Sequence, residues 1–142
     1  MMDQKLFPFI SEFAACCWTM QASTHHMHLG ITGPDSYAAH KALNEIYNMF
    51  PSWIDSIAEA AQGVGYDIST MSGSQVAFNL PECTAQEAIN MIEEFRGWIE
   101  DQMEMLDPKG MPDPAEFDWV ENFMQEVLQS SASVLYKLKK LM

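Results

Sequence analysis

Residues 28–59 read HLGITGPDSYAAHKALNEIYNMFPSWIDSIAE, and this stretch sets the reading of the whole chain. His28 and His40 lie either side of a GPDS turn, while Asp55 and Glu59 stand one helical turn apart further along. Imidazole and carboxylate both suit divalent transition metals such as iron, so the four side chains form a candidate metal site. Within one subunit they cannot meet. Helix running from His40 to Asp55 separates the two by roughly 22 Å at about 1.5 Å per residue. Two copies whose second helices pack antiparallel bring the histidine end of one to the acid end of the other, and a two-fold axis repeats each contact in reverse. The spacing therefore predicts a shared site and a dimer together.

The rest of the composition frames that site. At 142 residues the chain is long enough to bury a core, and 48% apolar residues exclude wholesale disorder. Residues 1–142 read as a single domain. Twelve methionines against seven glycines favour helices over strands and turns. A formal charge of −13 disfavours nucleic-acid binding, since phosphate backbones are repelled and no Lys/Arg tail offsets this. Acidic surplus also attracts cations, although it commonly serves only solubility. Cys16, Cys17 and Cys83 have neither disulfide-framework nor zinc-ligand spacing and read as buried thiols in a reducing interior. The N-terminal MMDQKLFPFISEF lacks the features of a signal peptide, and no apolar run approaches the roughly 20 residues needed to span a membrane. A cytoplasmic setting is expected.

Helical periodicity then divides the chain into four. A first helix starts between Asp3 and Phe9 and runs to about Leu29, with Phe9, Phe13, Cys16, Cys17 and Met20 as its apolar stripe. The turn from Gly30 to Pro34 ends it, and Asp35 or Ser36 is positioned to cap the next helix. That second helix runs from Ser36 to about Gln62 on Tyr37, His40, Leu43, Tyr47, Phe50, Ile54, Ile57 and Ala61. Pro51 falls inside it and predicts a kink, with a break into two helices as the alternative. Residues 66–83 are too long for a hairpin and suit a crossover, with room for a short helical turn. Thr84 with Glu87 reads as a capping box opening a third helix that ends near Leu106. DPKGMPDP breaks the chain, and a fourth helix follows from about Pro114 to Leu141 with its basic YKLKK end where the helix dipole favours cations. Four helices with a long crossover between the second and third describe an all-α, ferritin-like four-helix bundle, although an up-down bundle fits the pattern almost as well.

Those residues resemble the Dps-type miniferritins of the ferritin-like superfamily. The family pattern is a His, a Gly-Pro turn, a second His twelve residues after the first, an Asp fifteen further on and a Glu four beyond that; here His28, Gly33-Pro34, His40, Asp55 and Glu59 stand at those spacings. The wording SYAAHKALNEIY is also similar to divergent phage-encoded Dps-like proteins, which would place the chain in a host cytoplasm. The resemblance implies a hollow homo-oligomer, a dodecamer built from two-fold dimers, with a ferroxidase site at each dimer interface. His28 and His40 would come from one subunit and Asp55 and Glu59 from the other. Iron(II) would be oxidised there by hydrogen peroxide or oxygen and stored as iron(III) mineral.

Several positions depart from that pattern. Asn44 stands where the family commonly has an acid one turn after the second histidine, and Glu45 points about 100° away on the helix. Leu29 replaces a tryptophan, Pro51 interrupts the second helix, and the basic DNA-binding tail is missing. These departures leave room for an alternative: a ferritin-like structural or interaction protein with a vestigial metal site. His25 and His26 match no ligand position and read as surface residues, and Trp53 and Trp98 read as core. The Glu-x-x-His signature of larger ferritins is absent, as are a nucleophile triad, a phosphate loop and a zinc cluster.

Overall fold

One phenylalanine from each of four helices meets at the centre of the molecule. In the computed structural model, which describes residues 6–68, 83–106 and 114–142, the elements are α1 (Leu6–Gly30), α2 (Ser36–Gly63), α3 (Ala85–Met105) and α4 (Pro114–Lys139). Phe13 of α1 touches Phe123 of α4 edge-on at 5.8 Å and Phe95 of α3 at 6.2 Å, and Phe50 of α2 meets Phe95 at 5.5 Å. Each such ring pair contributes about 0.5–1.5 kcal/mol beyond the area it buries. Leu6, Ile10, Leu43, Ile46, Ile57, Ile92, Ile99, Val127 and Leu138 extend this core along the bundle axis. Trp53 is buried in it and Trp98 packs half-buried against it. No strand occurs among the described residues. The protein is an all-α bundle.

Residue pairings fix the helix directions. Phe7 at the start of α1 stacks on Tyr66 just beyond α2, whereas His28 near the end of α1 meets His40 near the start of α2, so these two helices are antiparallel. Phe9 pairs with Trp98 and Phe13 with Phe95, which makes α3 antiparallel to α1. Arg96 donates from Nε to the Ser131 hydroxyl and from its guanidinium to the Leu128 carbonyl, while Lys139 pairs with Glu93, making α4 antiparallel to α3. The Lys137–Glu45 bridge at 2.8 Å joins α4 to α2. It follows that α2 and α3 point the same way.

Both ends of the 69–82 connection are fixed accordingly. Tyr66 lies at the Phe7 end of the bundle. Cys83 lies at the other end, packed so closely on Gly30 that a Cβ there would stand 2.6 Å from its sulfur. The expected helical turn within residues 69–82, the DPKGMPDP break and the part of the first helix before Leu6 lie outside the described residues.

α2 passes through Pro51 as one continuous helix, as expected, and the alternative break into two does not occur. Other expectations needed correction. Asp35 occupies the N-cap position but makes no side-chain cap bond. Its φ of −102° and ψ of 18° are outside the extended region a side-chain cap requires, and the Ser36 N–H instead donates to the Gly33 carbonyl. Thr84, by contrast, caps α3 with its hydroxyl accepting from the Glu87 N–H. Tyr37 is 71% exposed and lies outside the core stripe, with the Lys41 ammonium 5.2 Å from its ring centre. Of the three thiols only Cys17 is buried; Cys16 and Cys83 are half-buried. No helix among the described residues is long and apolar enough to cross a membrane.

Candidate metal centre

The tight turn between α1 and α2 folds the chain back so that residues equally spaced about it face one another. Gly33 makes this possible with a φ of +111°, a conformation that L side chains rarely adopt. His28 and His40 meet across the resulting hairpin with ring centres 3.8 Å apart and planes 23° from parallel. Each ring is tied to the other's backbone: His28 Nδ1 lies 3.0 Å from the His40 carbonyl, and His40 Nδ1 lies 2.7 Å from the His28 carbonyl.

A carbonyl only accepts, so both Nδ1 atoms must carry the proton. In the neutral rings this leaves each Nε2 with an unprotonated lone pair, which is the tautomer a metal requires. With its Nδ1–H engaged in this way, each ring keeps one nitrogen that can bind a cation. His28 is buried and His40 half-buried, so the α1–α2 packing holds both.

The acidic half of the predicted site has a different character. Asp55 and Glu59 are both exposed on α2. The continuity of α2 keeps them far from the histidines of their own chain, about 22 Å for Asp55 at 1.5 Å per residue. Between the two ends the helix presents Asn44, Asn48 and Ser52, all exposed and uncharged. Glu45, the acid next to Asn44, is engaged with Lys137. Among the described residues of one chain no three His, Cys, Asp or Glu side chains converge on a common point.

Two residues beside the histidines were not singled out as ligands by sequence reasoning. The His25 ring, exposed on α1, stacks on Tyr47 at 4.6 Å and 11°, and Tyr47 in turn lies 5.1 Å from His28. His26 is half-buried, not a fully exposed surface residue. The signal for the His25 neighbourhood was present in the spacing, since His25 precedes His28 by three residues and shares its helical face.

Comparison with known proteins adds a family. A model described as "Family of unknown function (DUF5856)" matches residues 32–138. The chain belongs to that family. The matched span takes in His40, Asp55 and Glu59 and begins beyond His28. The chain is also similar to General stress protein 20U of Bacillus subtilis (strain 168), at 26% identity over 87 residues, or 61% of this chain. That alignment spans 60% of the relative's own length.

Proposed function

We propose that the protein is a ferritin-like, Dps-like iron store, a homo-oligomer that oxidises iron(II) at sites shared between two copies and retains the iron(III). The observation that carries this reading is the reciprocal bonding of His28 and His40, which fixes two stacked imidazoles and leaves the Nε2 of each available. Each imidazole would supply one nitrogen ligand to an iron(II) ion. Asp55 and Glu59 of a second copy would complete the ion's ligand set and offset its charge. Hydrogen peroxide then takes one electron from each of two iron(II) ions and, with two protons, becomes two waters.

Three further features support the reading. With α2 and α3 parallel, the chain passes from one end of the bundle to the other between Ile68 and Cys83, as the crossover of a ferritin-like fold requires. α1 carries a single formally charged residue, Glu12, and leaves Trp18 47% and Leu29 69% exposed. In a chain of net charge −13, such an uncharged outer face suits burial against a second copy. The small neutral side chains of Asn44, Asn48 and Ser52 leave a lane along α2 for an antiparallel partner helix. A relative named as a general stress protein accords with a role in removing iron and peroxide together.

One observation favours the structural alternative: Asn44, not an acid, is the exposed residue one turn after His40. Anaerobic loading of the purified protein with iron(II), followed by peroxide, separates the two readings through the rise of iron(III) absorbance. The ferroxidase reading predicts oxidation at least about 100-fold faster than in an Asp55→Asn/Glu59→Gln double variant, beyond what a lost outer-shell partner costs. A trace that the double variant reproduces would leave a bundle with a vestigial site.

A further inference from the structure

The third histidine of this cluster has a geometry of its own. His25 and His28 sit three residues apart on one face of α1, with ring centres 6.0 Å apart and planes inclined by 43°. Two imidazoles that bind one cation place their nitrogens about 2.0–2.1 Å from it, which leaves their ring centres about 5–6 Å apart. His25 and His28 stand at the upper end of that range. The His28–His40 pair, face to face at 3.8 Å, does not. Tyr47 braces the arrangement from α2, stacked on His25 and tilted against His28. His25 is thus held beside the centre although it is exposed.

We infer that His25 and His28 clamp one divalent transition cation between their imidazoles, leaving His40 to serve the neighbouring position. The inference rests on the proposed metal centre and assigns it a ligand outside the four residues of the sequence pattern. It also gives the two positions different characters. The outer one takes two imidazoles from a single chain, and the inner one depends more heavily on carboxylates from the second copy. Ions that favour nitrogen donors, zinc among them, are held more tightly at the outer position.

The test is a titration of the 15N-histidine-labelled protein with Zn2+ alone, followed by NMR through the ring nitrogens. The His25 and His28 resonances are expected to move together along one isotherm. His25→Ala, at an exposed position that leaves the bundle intact, is expected to weaken that isotherm about tenfold. Tyr47→Phe should retain the wild-type affinity, because the stacking ring remains, whereas Tyr47→Ala should approach the His25→Ala value. If His28 and His40 move while His25 stays still, or if His25→Ala binds Zn2+ as the wild type does, the clamp is overturned and the proposed centre survives. If none of the three moves, both fail.

Discussion

The two ends of α2 carry the two halves of the proposed site, and they are constructed in opposite ways. At the start of the helix His40 is locked to His28 through backbone carbonyls and packed under α1. Beyond Pro51, Asp55 and Glu59 stand exposed, and no hydrogen bond or ion pair of their side chains occurs among the described residues. The histidine half is therefore part of the fold of one chain, whereas the acid half is available for another chain to use. Under the proposed function, the ligands that must be aimed would be fixed internally, and the carboxylates, which bind through charge and tolerate varied geometry, would be left at the surface.

That contrast predicts a separation between activity and stability. The largest effect should come from the Asp55→Asn/Glu59→Gln variant in the peroxide assay, where oxidation falls at least about 100-fold. Its unfolding free energy should nevertheless stay within about 0.5 kcal/mol of wild type, because both side chains are exposed. His28→Ala should lose activity and stability together. It removes a buried ring and the hydrogen bond its Nδ1–H gives the His40 carbonyl, a loss of about 1–3 kcal/mol measurable by urea denaturation. Equal destabilisation by the two variants would erase the distinction between the halves.

A smaller effect probes the core that joins them. Burial pushes the Cys17 thiol far above its ordinary value of 9.0, with the adjacent Cys16 adding to the shift. Burial, followed by the charge of Glu12, raises Cys16 as well. In the unfolded chain the Cys17 thiol ionises as pH passes about 9, while in the folded protein it stays protonated. Its contribution is therefore fully present below pH 9 and declines as pH rises, by about 1 kcal/mol between pH 9 and 10. Cys17→Ala should flatten the alkaline limb of the stability profile by that amount without altering iron oxidation at neutral pH. An unchanged limb would mean that Cys17 is solvated.

Much of the fold was legible because local rules and packing agreed. Thr84 caps α3 through the Glu87 N–H at the expected spacing, and the four helical stripes place Phe13, Phe50, Phe95 and Phe123 on inward faces. Tyr37 was misread for a tertiary reason. It keeps the helical period, but it lies a turn above His40, where α1 has already given way to the turn that begins after Gly30, and periodicity cannot register the end of a neighbour. Asp35 failed as a cap because the backbone closed the turn with its own Gly33–Ser36 bond.

At the site, residue types and spacing were legible, but the mutual carbonyl bonds of His28 and His40 were not. They depend on two helices meeting in register across the α1–α2 hairpin. The His25–Tyr47 stack was missed similarly, since it joins residues more than twenty positions apart.

Complementation between two inactive chains tests most directly whether the halves come from different copies. One chain carries His28→Ala with His40→Ala, the other Asp55→Asn with Glu59→Gln, and each alone should fail to oxidise iron(II). When the two are unfolded, mixed in equal amounts and refolded together, half of the two-fold dimers are hybrids. Each hybrid rebuilds one intact site from the histidines of one chain and the acids of the other, so about a quarter of the wild-type rate should return. If the refolded mixture, shown to contain hybrid dimers, is as inactive as its parents, the site is not shared in this way and the account of α2 is wrong.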